Sequence, residues 1–328
     1  MGPGASFRLQ SHHQSQSRAK AGASGFQCLT SVTMSYTIEP HPEHARLFQL
    51  RLARESLRRF LKAAANLTEQ RLTYVPYLRL AAADCLQQAV GGDFAERINQ
   101  IVRDRRSGGF TLSVEGGLDG LDQQVALGTA VAHLLGLPNF DDMTGNYYAC
   151  FTVQDSCDSD SYLRQAYRTF TLHTDGTYVK EATDWILMMK MEERDAVDGE
   201  SRLLHLDDWE DLRRFSLDPL ASHPFTYRSP PSKNYPVTLQ KTTFYEKFGG
   251  PCMCFIDQFV YPETLEQARY LRDLSASMEA SPAVLSLPLP VDHLIVLNNH
   301  FWLHGRAAFA KNPKLHRVLM RQRGYFRD

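Results

Sequence analysis

In the stretch TLHTDGTYV, residues 171–179, His173 and Asp175 stand two apart where strand-forming residues run into a turn. An imidazole and a carboxylate at this spacing can hold a divalent metal. They can equally be turn residues, since Asp175-Gly176 is good turn chemistry. A lone His-x-Asp is weak evidence in a chain with 12 histidines. A second such pair, His205-Leu206-Asp207 in LLHLDDWEDL, serves as an internal comparison. There Asp207 and Glu210 fit the Asp-x-x-Glu of a helix N-terminus, so Asp207 is expected to cap a helix. The first pair has no helix to cap.

A non-haem Fe(II) site takes two histidines and one carboxylate on one face of the ion and leaves the other face open. The second histidine is expected from a distant strand. FWLHGRAAF supplies His304, late in a strand and beside Gly305, which permits close backbone approach. His293 and His300 compete for the role, but both sit at turns. HRVLMRQRGYF then reads as a strand. Strand alternation puts Arg317, Leu319, Arg321 and Arg323 on one face, with Val318, Met320 and Gln322 on the other. Three inward guanidiniums would be prohibitive without anions. Guanidinium matches carboxylate bidentately, which makes dicarboxylates the natural partners. Taken alone, this face is as readily a solvated one. Behind a His-x-Asp…His set the anion reading prevails.

The elements that must position these residues change character along the chain. PEHARLFQLRLARESLRRFLKAAANL carries Leu47, Leu50, Leu57, Phe60 and Leu61 near helical spacing and predicts a helix. Further helices are expected over Leu78–Val90, over Phe94–Val102 and in LDQQVALGTAVAHLLGL, with GGFTLSVEGG as a short strand between them. From Asn146 onward, short β-rich runs recur between Gly, Pro, Asp and Asn clusters, among them YYACFTV, FTLH, DWILMMKM, SRLLHL, HLIVLNN and FWLHGR. That texture indicates a sandwich or barrel. Two helices interrupt it, DDWEDLRRF and ETLEQARYLRDLSASME. The predicted class is α+β, mainly β: a jelly roll with an N-terminal helical layer. No internal repeat is visible.

Composition bounds the function. The 328 residues are 43% apolar, enough for a substantial core. A net charge of −1 argues against a general nucleic-acid binder. No apolar run approaches the roughly 20 residues of a membrane span. The six cysteines, Cys28, Cys85, Cys150, Cys157, Cys252 and Cys254, form no Cys-x-x-Cys pair. They are expected to be reduced, buried thiols of a cytoplasmic protein. Residues 1–33 hold no acidic residue and are rich in Ser, Gly, Ala and Gln. They are expected to be a disordered tail, leaving 34–328 as one domain.

His173-Thr174-Asp175, His304, and Arg317 thirteen positions later resemble the pattern of Fe(II)/2-oxoglutarate-dependent oxygenases. The spacing Arg317-x-x-x-Arg321 is similar to that of the taurine dioxygenase branch. DSYLRQAYR, LHTDGTYV, LLHLDDWEDL, PPSKN, FIDQFV, NNHFWLHGR and LMRQRGYF further resemble the CsiD-type glutarate 2-hydroxylases, over roughly Pro40 to Phe326. The resemblance implies a double-stranded β-helix that requires Fe(II), 2-oxoglutarate and O2. It implies hydroxylation of glutarate to (S)-2-hydroxyglutarate, with succinate released, in lysine catabolism in the bacterial cytoplasm. It also implies a homotetramer and a small dicarboxylate partner, with no nucleic acid or membrane.

Residue roles follow from the same resemblance. His173, Asp175 and His304 match the metal ligands, and Arg317 matches the arginine on the distal carboxylate of 2-oxoglutarate. Ser201 falls where related enzymes place a hydroxyl at that carboxylate, although Asp198-Gly199 stands where a Gly-Gly turn is common. Arg321 is expected at the carboxylate near the iron, at the substrate, or both, and Arg323 at a substrate carboxylate. Tyr162, Arg164 and Leu187 are candidates for the pocket wall. The competing readings are the same chemistry on another small acid, a metal- or ligand-sensing module, and a purely structural ion site.

Overall fold

The computed structural model describes residues 1–2, 34–141, 144–155, 165–230 and 236–327. The expected tail beyond Gly2, together with Cys28, Cys157, Tyr162, Arg164 and most of PPSKN, lies outside them.

The chain opens with the hairpin β1 (Tyr36–Pro40) and β2 (Leu47–Leu52). Helices α1 (Arg54–Ala63), α2 (Glu69–Tyr74), α3 (Tyr77–Val90) and α4 (Phe94–Arg103) follow. Strand β3 (Gly109–Val114), helix α5 (Gly120–Leu135) and the short β4 (Gly136–Pro138) complete this part. Next come β5 (Ala149–Gln154), β6 (Phe170–His173), β7 (Trp185–Arg194) and β8 (Ser201–His205). After the short α6 (Leu212–Ser216) come β9 (Phe225–Arg228), β10 (Thr238–Lys241), β11 (Phe244–Lys247), β12 (Gly250–Met253) and β13 (Val260–Tyr261). Helix α7 (Leu265–Ala280) precedes the closing strands β14 (Leu285–Leu287), β15 (Leu294–Asn298), β16 (Trp302–Arg306) and β17 (His316–Phe326).

Two sheets dominate this mixed α+β architecture. The larger runs β1-β2-β3-β15-β7-β17, with β4 and β5 both on the outer edge of β17. The smaller runs β14-β8-β16-β6. Strands β7 and β15 are buried on both faces, which is why WILMM and LIVLN read as continuous apolar runs. Leu187, Met189, Leu294 and Val296 pack toward the helices, in one core with Phe60, Leu86, Ile98 and Val131. Ile186, Met188, Ile295 and Leu297 face the other way, in a second core with Leu203, Trp302, Tyr227 and Leu274.

Several expectations need correction. Leu47–Leu52 is strand β2, not the start of a helix, because its residues pair with β1 and with β3. Leu47, Leu50 and Leu52 are all buried in this strand. The helical spacing there was shared by a half-buried strand that later contacts fix. Asp207 caps no helix. His205 takes that place, its ring accepting from the Asp207 N–H at the head of a single 3₁₀ turn, while Asp207 pairs with Arg105 at 2.6 Å. The described cysteines are unpaired as expected, but Cys150 is exposed and only Cys252 among them is fully buried.

Candidate metal centre and its pocket

The two histidines meet across a strand pair. In the antiparallel register of β6 with β16, His173 lies directly opposite His304. Their ring centroids are 4.2 Å apart. The register shifts between His304 and Arg306, and Gly305 sits in that irregularity. A Cβ at Gly305 would lie 2.5 Å from the backbone oxygen of Phe170, so only glycine lets the strands close here. Strand β6 would leave an N–H open at this edge, but Leu172 N donates to Glu279 of α7 at 2.6 Å.

Asp175 is carried by the turn that leaves β6. Thr174 points away from the ligands: its N–H donates to Phe255 O at 2.9 Å, and its Oγ1 accepts from Phe255 N at 3.0 Å. Buried Asn299 closes the turn by accepting from Asp175 N at 2.8 Å and donating to Asp175 O at 3.0 Å. Gly176 follows with φ +80°, a left-handed conformation that suits glycine.

The donor atoms of His173, Asp175 and His304 all fall within 4.8 Å of one another. His173 Nδ1–H donates to Thr171 O at 2.8 Å, which leaves Nε2 as the free lone pair. Nδ1 of His304 is buried without a hydrogen-bond partner among the described residues. Asp175 Oδ2 lies 3.0 Å from Arg321, yet it accepts no well-directed hydrogen bond. Two buried imidazoles and a half-buried carboxylate with spare lone pairs fit a divalent cation of the Fe(II) type. Burial pushes the His173 imidazole down and that of His304 down to about 3, so both stay neutral and able to ligate. For Asp175, burial acts to raise the pKa, but Arg321, His304 and Arg323 outweigh it and hold the carboxylate well below its usual range.

One cavity opens on this triad, between the two sheets. Its wall includes Arg317, Leu319, Arg321 and Arg323 from β17, Ser201 from β8 and Met188 from β7. Met320 and Gln322 are buried on the opposite face of β17, as alternation requires. Arg317 donates from Nη1 to Gly199 O at 3.0 Å, while its Nε is buried without a partner. Arg323 is also buried, with an unpartnered Nε, and makes no ion pair among the described residues. Arg321 differs, bonding Asp141 at 2.7 Å from Nη2 and Asp175 at 3.1 Å from Nη1. The three predicted ligands, Arg317, Arg321, Arg323 and Ser201 are thus brought to one cavity. Leu187 is not, since it faces the helices; its neighbour Met188 takes the wall position. His300 lies apart, bonded to Asp184 at 2.6 Å, and His293 bonds Val291 O at 3.1 Å.

The sequence reading missed Asp141, Asn299 and Arg306. Arg306 lines the cavity but spends its guanidinium on the backbone oxygens of Gln165, Ala166, Ala307 and Arg168. Burial pushes it down to about 10. Its position in FWLHGR, two past His304, places it on the same strand face, and that was the available signal.

A family model described as CsiD matches residues 36–326. The chain belongs to the CsiD family. It is 43% identical over 295 residues to the glutarate 2-hydroxylase of Klebsiella pneumoniae, covering 89% of this chain and 90% of that protein. The glutarate 2-hydroxylase of Citrobacter koseri is 42% identical over 302 residues, covering 90% and 93%. Among solved structures, asparagine oxygenase in complex with Fe(II), 2S,3S-3-hydroxyasparagine and succinate aligns with a TM-score of 0.69 at 16% identity, over 84% of this chain and 93% of that one. The non-heme iron oxygenase OrfP in complex with Fe and alpha-ketoglutaric acid aligns with a TM-score of 0.66 at 15% identity, over the same shares. This CsiD-family chain therefore shares the fold of those oxygenases.

Two outcomes are expected. Gly305→Ala should part β6 from β16 and weaken Mn(II) binding by on the order of tenfold, read by titration; an unchanged Kd would refute the close-approach argument. A free histidine loses its metal as it protonates through about pH 6.5. Here burial keeps both rings neutral further into acid. Mn(II) affinity should therefore hold as pH falls from about 7 to about 5.5, whereas an affinity that falls steeply in that window would show ordinary, accessible imidazoles.

Proposed function

We propose that this protein is an Fe(II)/2-oxoglutarate-dependent dioxygenase that hydroxylates glutarate at C2, giving (S)-2-hydroxyglutarate with succinate and CO2. The observation that carries the proposal is a shared cavity. A two-histidine, one-carboxylate set faces two buried guanidiniums, Arg317 and Arg323, neither of which forms an ion pair among the described residues. A buried cation without an anion is costly, so the cavity selects anionic occupants. The identity to curated glutarate 2-hydroxylases supports glutarate as the substrate.

On this reading His173, Asp175 and His304 hold the ferrous ion. When bound, that ion supplies the oxidative decarboxylation of 2-oxoglutarate by O2 and the oxidising power for the hydroxylation. The protein's own work is placement. Arg317 and Ser201 grip the distal carboxylate of 2-oxoglutarate. Arg323 receives a carboxylate of glutarate, and Arg321 serves the carboxylates nearest the metal. Glutarate is flexible and has no ring to hold, so its C2 is aimed by carboxylate–guanidinium pairing at its ends. Apolar neighbours such as Phe151, Met188 and Phe259 line the same cavity and exclude water around the reacting carbon. The two dianions are near isosteres, and the keto group's affinity for metal tells them apart.

We further read the facing sheets as a double-stranded β-helix and residues 34–328 as one oxygenase domain. The family resemblance supports a cytoplasmic homotetramer that acts in lysine breakdown through glutarate.

The test is succinate formation with Fe(II), 2-oxoglutarate and ascorbate, with and without glutarate. Glutarate-dependent succinate, matched one for one by 2-hydroxyglutarate, is expected. Arg317→Ala should raise the KM for 2-oxoglutarate, and Arg323→Ala the KM for glutarate, each by on the order of tenfold or more. Succinate indifferent to glutarate would point to another acid, and none from iron-loaded protein would point to a sensor or structural site.

A further inference from the structure

Asp141 has no part in the roles above, yet it grips the arginine closest to the metal ligands. It lies just after β4 and is buried. Its backbone is tied down. The Asp141 N–H donates to Asn146 O at 2.6 Å, and the Asp141 carbonyl accepts from Thr144 N at 3.1 Å and from Gly145 N at 2.8 Å. The preceding segment is fastened to β17 itself, where Asn139 N donates to Arg323 O at 2.7 Å. From this fixed point Asp141 Oδ2 accepts from Arg321 Nη2 at 2.7 Å. The other end of the same guanidinium, Nη1, lies 3.0 Å from Asp175 Oδ2 and 3.1 Å from Oδ1. The guanidinium carbon of Arg321 lies over the Phe151 ring, 4.8 Å from the ring centroid.

Arg321 is thus held in one orientation by two carboxylates and a ring. A planar guanidinium that loses one acid partner has two ways to recover. It can turn to take both oxygens of the remaining carboxylate, or it can swing toward an anion in the cavity. The first move takes from Asp175 a lone pair that a metal needs, and the second removes the contact that orients its carboxylate.

We propose that Asp141 is a positioning residue: it anchors Arg321, and Arg321 in turn orients the Asp175 carboxylate toward the metal. The inference rests on the reading of His173, Asp175 and His304 as a metal site. It gives Arg321 a duty toward the ligand as well as toward bound carboxylates. It also accounts for the two acid partners of Arg321, where Arg317 and Arg323 form no ion pair among the described residues.

The test is Mn(II) titration of the metal-free full chain, without 2-oxoglutarate, followed by the resonance of free Mn(II). Wild type, Asp141→Asn, Arg321→Gln and the double variant are compared. Asp141→Asn should raise the Kd by on the order of tenfold, the usual effect of losing an outer-shell partner. In the Arg321→Gln background Asp141→Asn should add nothing, because its effect passes through the guanidinium. An unchanged Kd in Asp141→Asn, or the same increment in the Arg321→Gln background, would overturn the proposal. If Asp141→Asn fails to fold, Asp141→Glu keeps the charge and shifts the carboxylate by one methylene; an intermediate Kd supports the anchor, and a wild-type Kd refutes it. Wild type that binds Mn(II) no better than His173→Ala would instead refute the metal reading itself.

Discussion

A guanidinium taken out of water must meet an anion, and strand β17 turns three of them into one cavity. Arg321 meets Asp141 and Asp175. Arg317 and Arg323 form no ion pair among the described residues, although both are buried. Each would cost several kcal/mol in an apolar interior left that way. On the proposed reading two dicarboxylates supply the missing charge, and the same electrostatic debt draws them in and fixes their ends.

The rest of the architecture serves that strand and the histidines facing it. The helical layer packs against the large sheet, with Met320 buried in that core and Gln322 buried on the same face of β17, so the alternate residues must point inward. The small sheet supplies both candidate histidine ligands from neighbouring strands, so that cross-strand register, not loop geometry, sets the distance between the two imidazoles. Asp175 is the one member of the candidate set on a turn, and it is braced by Asn299 on its backbone, Thr174 bonded to Phe255, and Arg321 on its carboxylate. Metal-binding turns that lack such bracing are the usual place for a site to lose precision.

What the sequence made legible follows from period and chemistry. Alternation in HRVLMRQRGYF placed Arg317, Arg321 and Arg323 on one face. His-x-Asp at a strand end, with His304 beside a glycine, marked the three residues that the fold brings together as a candidate metal set. Long apolar-periodic runs gave α3, α4 and α5 nearly to the residue. Failures came where distant partners decide. Leu47–Leu52 has spacing compatible with a helix, and only pairing with β1 and β3 makes it a strand. Asp207 looked like a cap because its partner Arg105 is some hundred residues away. Asp141 and Asn299 sit in turn-like sequence, NFDD and NNH, where such residues are ordinary. Nothing local says that one will bond Arg321 and the other the Asp175 turn. Leu187 and Met188 are both apolar, and only the sheet's layering tells which faces the cavity.

The most direct test of the central claim is the fate of isotopically labelled dioxygen during turnover of iron-loaded protein with 2-oxoglutarate and glutarate, read by mass spectrometry of both products. The account predicts one labelled oxygen in succinate, label in the new hydroxyl of 2-hydroxyglutarate, and equal amounts of the two. Labelled succinate accompanied by no 2-hydroxyglutarate, or 2-hydroxyglutarate whose hydroxyl comes wholly from water, would contradict it.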